Sequence, residues 1–132
     1  MNSETIQNST LINPFALYLG IQVQQLGDGL GQAEMTIRPE FLNPMGNLHG
    51  GVYYTLADCA SGCACRTDGR RYVTLHGSLD YICPVQGDRL IAKSTVIRRG
   101  RTTCLVDVHI FGEDQTLCAI GHYTFFCVKD HL

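Results

Sequence analysis

The sequence predicts an α+β domain in which a curved antiparallel β-sheet wraps around one long central helix. Three observations carry this reading: a single helix-length apolar run in mid-chain, period-two segments on both sides of it, and short turns between those segments.

The mid-chain run "NPMGNLHGGVYYTLADCASGCACR", residues 43 to 66, reads as a buried helix that opens at His49-Gly50-Gly51 and carries Val52, Tyr53, Leu56, Ala57, Ala60, Cys63 and Ala64. That apolar surface is too broad for a helix laid on a sheet by one stripe and suits a helix enclosed by the sheet. Its small residues let strands approach closely. Ahead of it, "IQVQQLGDGLGQAEMTIRPEF" alternates apolar and polar residues around Gly27-Asp28-Gly29, with Ile21 and Val23 before the turn and Ala33, Met35 and Ile37 after it, which predicts a β-hairpin. Behind it, "RYVTLHGSLDYICPV", "DRLIAKSTVIRRG", "RTTCLVDVHIFG" and "TLCAIGHYTFFCV" read as four strands separated by Gln-Gly-Asp, Arg-Gly-Arg and Glu-Asp-Gln turns. Connections that short favour antiparallel neighbours, so the four strands are expected to form a meander. Near the start, "NPFALYL" has Asn13 as N-cap, Pro14 at the first helical position and Gly20 to close a short helix.

The 132 residues fit one domain. Residues 1–12 are expected to be a flexible lead-in, since "MNSETIQNST" has neither the basic nor the apolar region of a signal peptide or anchor, and residues 13–132 a single domain. Hydrophobic residues at 45% and charged residues at 17% argue against a disordered or membrane-spanning chain. A net charge of −2 argues against a general nucleic-acid binder, because neutralising phosphates needs a strongly basic face. The cysteine count of seven is odd, and with no export signal it points to reduced thiols in a cytoplasmic protein. Cys63 and Cys65 form only a C-x-C, and Cys59, Cys83, Cys104, Cys118 and Cys127 stand singly, so small core-filling thiols are expected and no metal site.

One feature of the central helix conflicts with a purely structural role. Adjacent glycines at 50 and 51 each cost roughly 1 kcal/mol of helix stability relative to alanine. The first N–H groups of a helix are unpaired and lie at the positive end of its dipole, and glycine lets a ligand approach that bare backbone. The pair therefore reads either as an open mouth for a carbonyl oxygen or as a tight loop-to-helix bend. Asp58 is the second anomaly: between Ala57 and Cys59, with Leu56 and Ala60 close by, a carboxylate is costly to bury without partners or a task.

Asn43-x-x-Gly46-x-x-His49-Gly50-Gly51, followed by Leu56-Ala57-Asp58, resembles the signature of the hotdog-fold thioesterases of the phenylacetate-pathway type. The likeness extends through Thr74, the "YICPVQGDRLIAKSTVIRRGR" block and the terminal "HYTFF", from about Phe15 to Val128. The resemblance implies a hotdog fold and hydrolysis of acyl-coenzyme A thioesters, with no metal or separate cofactor, by a homodimer or a dimer of dimers. It also implies that Asp58 supplies a base or nucleophile, that Gly50 offers a backbone donor to the thioester oxygen, that Asn43 and His49 support that side, and that Thr74 holds a hydroxyl beside the acid. Read alone, Asn43 before Pro44 is equally a turn residue, and His49 is expected to orient the loop by a hydrogen bond. A non-catalytic acyl-CoA-binding or ligand-sensing module would keep the pocket and lose the acid, and Asp58 favours catalysis over it.

Spacing adds an inference about assembly. Gly50 and Asp58 are eight residues apart, about 12 Å along a helix, too far to reach one thioester carbon. Two chains are therefore expected to share each site. Gly51 belongs to the substrate mouth. Arg98, Arg99 and Arg101 form a basic turn suited to the phosphates of coenzyme A, or else a solvated hairpin tip, and Arg66, Arg70 and Arg71 form a second basic group. Tyr53, Tyr54, Tyr81, Phe125 and Phe126 are either pocket-lining or core.

Overall fold

The computed structural model describes residues 13–129; the expected lead-in lies outside the described residues. The elements are helix α1 (Pro14–Leu19), strands β1 (Gln22–Gly27) and β2 (Leu30–Thr36), helix α2 (Gly50–Cys65), and strands β3 (Arg71–Tyr81), β4 (Arg89–Arg99), β5 (Thr103–Gly112) and β6 (Leu117–Lys129). Asn13 caps α1 by accepting from the N–H groups of Phe15 and Ala16, and Gly20 ends it in the left-handed region at φ 76°. The hairpin forms as expected, with Val23 opposite Ala33 and Gln22 opposite Glu34.

The six strands make one curved antiparallel sheet in the order β1-β2-β4-β5-β6-β3, wrapped on α2. This corrects the expected four-strand meander: only β4, β5 and β6 follow one another, while β3 pairs with β6 at the far edge. Burial explains the order. β4 turns Leu90, Ala92 and Ser94 into the core and needs a central place, whereas β3 buries only Tyr72 fully and tolerates an edge. Residues 82–88, read as the end of a strand and a tight turn, instead cross the end of the sheet. They are pinned by Ile82 N–H to the Cys118 carbonyl (2.8 Å) and Asp88 N–H to Glu113 Oε1 (2.7 Å).

The core is one hydrophobic cluster between the sheet and α2. Cys104, Val106, Val108 and Ile110 of β5 alternate inward, and Leu56, Ala57, Ala60 and Ala64 of α2 meet the sheet. The approach is close enough that a Cβ on Gly31 would lie 2.7 Å from the Ala60 carbonyl oxygen and 2.8 Å from Ser94 Oγ. Ser94 Oγ itself donates to the Ala60 carbonyl at 2.7 Å, tying the enclosed helix to β4. Cys59, Cys63, Cys65, Cys83, Cys104 and Cys118 are unbridged thiols. No described helix is long and apolar enough to cross a membrane.

Candidate active site

The chain leads into α2 through a loop that Asn43 organises. Asn43 Oδ1 accepts from the N–H groups of Met45 (2.9 Å) and Asn47 (3.1 Å), which holds the turn before the helix. His49 is the N-cap of α2, and its Nδ1 accepts from the Gly51 N–H at 2.8 Å. Gly51 is thereby satisfied, whereas none of the hydrogen bonds among the described residues uses the Gly50 N–H, the first of the helix. Tyr81, on β3, fixes the same residue from its other side by donating its hydroxyl to the Gly50 carbonyl at 2.7 Å. A cavity of about 490 Å³ opens here, lined by Leu48, Gly50, Gly51, Tyr53, Tyr81 and Pro84 among others.

Two helical turns on, Asp58 lines a second cavity of about 440 Å³. Thr74 Oγ1, on β3, donates to Asp58 Oδ1 at 2.7 Å. Burial raises the Asp58 carboxyl above its ordinary value of 3.8, against the opposing pull of the Thr74 hydroxyl and the Arg66 charge. A carboxylate with a raised proton affinity in a cleft is suited to accept a proton or to attack a carbonyl. Its neighbours are not rivals for that task. Burial, reinforced by Asp58, pushes the Cys59 thiol up to about 12, and burial pushes Cys63 to about 11, so both line the cavity as neutral thiols and not as thiolate nucleophiles.

The two cavities share no residue, so within one chain the Gly50 mouth and Asp58 face different spaces. The basic turn divides as well. Arg98 and Arg101 are exposed, but Arg99 turns inward: Nη2 donates to the Cys65 carbonyl (3.2 Å) and to Thr67 Oγ1 (3.0 Å), and Nε lies 3.1 Å from Asp68 Oδ2 without hydrogen-bond alignment. Its guanidinium holds the end of α2 to the sheet. Arg70 is similarly engaged by Asp68 and by the carbonyls of Gly100 and Arg101. Arg66, grouped with it on sequence, lines the Asp58 cavity instead.

Of the aromatic residues, Phe125 lines the Asp58 cavity, Tyr53 and Tyr81 line the Gly50 side, and Phe126 is exposed. Sequence reasoning missed that α1 walls the Asp58 cavity through Asn13, Ala16, Leu17 and Gly20. The small residues Ala16 within that helix and Gly20 at its C-cap were the available signal.

An enclosed helix on a hotdog sheet, with an unpaired N–H at its start and a hydroxyl-bonded carboxyl in a cleft along it, is the arrangement expected of a thioester hydrolase. The chain belongs to the thioesterase superfamily, whose family model matches residues 45–119. It is 31% identical over 103 residues to the acyl-coenzyme A thioesterase PaaI of Escherichia coli, covering 77% of this chain and 74% of that one. The solved structure of the E. coli PaaI protein from the phenylacetic acid degradation operon superposes with a TM-score of 0.86 at 26% identity, over 96% of this chain and 91% of that one. A hypothetical thioesterase from Streptococcus pneumoniae, solved with coenzyme A, matches with a TM-score of 0.78 at 29% identity over 85% of this chain and 88% of that one.

Proposed function

We propose that the protein hydrolyses acyl-coenzyme A thioesters to free acid and coenzyme A, with Asp58 as the group that activates water or attacks the thioester carbon. The observation that carries this is the Asp58 carboxyl, raised by burial, hydrogen-bonded to Thr74 and open to a cavity of acyl size. As a base, ionised Asp58 takes a proton from water while the hydroxide equivalent adds to the carbonyl carbon. As a nucleophile, it adds directly to form an acid anhydride that water then opens, and in both routes the sulfur leaves as the coenzyme A thiol once protonated. Negative charge on the carbonyl oxygen is met by the Gly50 N–H at the positive end of α2. Asn43 and His49 hold that N–H in position through the loop and the N-cap, and Thr74 orients the acid. No metal or separate cofactor enters the scheme; coenzyme A arrives as part of the substrate.

The active unit in this reading is a homodimer with shared sites, in which the Gly50 mouth of one subunit faces Asp58 of the other. The separation of the two cavities supports it, as do the exposed apolar side chains Val73 and Leu75 on the edge strand β3. Arg98 and Arg101 are proposed to meet the coenzyme A phosphates, with Arg99 building the turn that presents them and Gly51 keeping the mouth open.

The test is a thiol-release screen of acyl-CoAs from acetyl to palmitoyl, including phenylacetyl and benzoyl, run with wild type and with Asp58→Asn. Hydrolysis of at least one substrate, reduced about 10²-fold or more in kcat by the substitution, is expected. Binding without turnover in the wild type would make the protein an acyl-CoA-binding module, and an Asp58→Asn variant at the wild-type rate would remove Asp58 from the chemistry.

A further inference from the structure

The Asp58 cavity contains a cation, Arg66, to which the proposed chemistry gives no part beyond its electrostatic pull on the Asp58 carboxyl. Arg66 lies at the C-terminal end of α2, and its side chain folds back along the helix, as helical side chains do. A Cβ on Gly62 would stand 2.5 Å from Arg66 Nη1, so the guanidinium rests over Gly62 in space that only a glycine leaves open. Four residues separate Gly62 from Asp58, about 6 Å of helical rise. The guanidinium therefore rests about one turn along α2 from the Asp58 backbone, in the same cavity.

Arg66 is only partly satisfied. Its one hydrogen bond among the described residues runs from Nη2 to the Tyr72 carbonyl at 3.0 Å, and a guanidinium carries five N–H donors. Much of the surrounding wall is apolar: Ala16, Val23, Cys63 and Phe125. A wholly hydrocarbon acyl chain filling this space would strip water from the guanidinium and return no acceptor, which costs affinity. An acyl group ending in a carboxylate would return two acceptors in the planar geometry that the fork matches.

We infer that Arg66 is a specificity-determining residue and that the cavity selects ω-carboxyacyl thioesters, the mono-coenzyme A esters of short dicarboxylic acids. The inference rests on the cavity being the acyl site of the proposed thioesterase. With C–C bonds of about 1.5 Å, an extended six-carbon diacid places its two carboxyl carbons about 6 Å apart, comparable to the helical rise from Asp58 to Gly62, over which the guanidinium rests.

The experiment compares adipoyl-CoA with hexanoyl-CoA, equal in carbon number and differing in the terminal carboxylate. Wild type is expected to prefer adipoyl-CoA by about tenfold or more in kcat/KM, Arg66→Met to lose that preference, and Arg66→Lys to retain part of it. Equal rates for the two substrates in wild type, or a ratio left unchanged by Arg66→Met because both fall together, would overturn the inference while leaving the thioesterase reading intact. If no thioester is hydrolysed, that reading fails, and calorimetric titration with monomethyl adipate and methyl hexanoate, in which an ester caps the thioester end, decides the cavity on its own. Monomethyl adipate binding at least about tenfold tighter than methyl hexanoate in wild type but not in Arg66→Met supports the assignment; binding no tighter than methyl hexanoate, or equally tighter in Arg66→Met, overturns it.

Discussion

In a refolded mixture of Asn43→Ala and Asp58→Asn subunits, each inactive alone, activity is expected to return. Removing the Asn43 side chain deletes the two hydrogen bonds that hold the loop ahead of α2, at 2.9 and 3.1 Å, and so releases the Gly50 N–H from its aim. Removing the Asp58 charge deletes the group proposed to act on the carbonyl. The Gly50 N–H that Asn43 holds and the Asp58 carboxyl lie eight helical residues apart, about 12 Å, and open onto separate cavities, so the proposed shared site takes one group from each chain. A mixed dimer with shared sites then holds one doubly damaged site and one intact site. Random pairing makes about half the dimers mixed, with one good site of two, so recovery should approach about a quarter of the wild-type rate. The assay is thiol release from the best acyl-CoA, with differential tags to isolate mixed dimers. Mixed dimers that form but stay inactive would refute the shared-site arrangement, because a site built within one chain keeps a lesion in every subunit.

Thr74→Val removes a donor that favours the ionised Asp58 carboxylate, so the carboxyl, already above its ordinary 3.8, should rise further. Activity that requires the ionised form is lost as pH falls through the folded value, and the acid limb of kcat/KM should move to higher pH; an unmoved limb would remove Thr74 from control of the acid. Gly31→Ala should destabilise the fold by about 1–3 kcal/mol, read as a lower denaturation midpoint, since the new methyl would meet the Ala60 carbonyl at 2.7 Å and Ser94 Oγ at 2.8 Å; an unchanged midpoint would mean that α2 and β2 are less tightly apposed than the structure has them. Neutralising Arg98 and Arg101 together should raise KM for acyl-CoAs while sparing short thioesters that lack the nucleotide, and equal effects on both would separate this turn from phosphate binding.

The local chemistry of the chain was legible without coordinates. Asn13 and Gly20 mark the ends of α1, the Gly-Asp-Gly turn marks the hairpin, and the breadth of the apolar surface on α2 marks an enclosed helix; each depends on dihedral preference or periodicity within a few residues. The paired glycines and the carboxyl among apolar neighbours also stood out, because each violates a local rule and so points to something outside it. Strand order was not legible. Which edge β3 joins depends on how much each strand buries against the shared helix, a sum over the whole sheet that a seven-residue connection does not encode. The basic residues show the same limit. On sequence Arg99 and Arg101 are alike and Arg66 belongs with Arg70, yet the fold commits Arg99 and Arg70 to carbonyls and Asp68, leaves Arg101 in solvent and seats Arg66 over Gly62 inside the Asp58 cavity. A guanidinium reaches several ångströms from its backbone, so its partner is decided by which distant segment the tertiary structure brings within that reach.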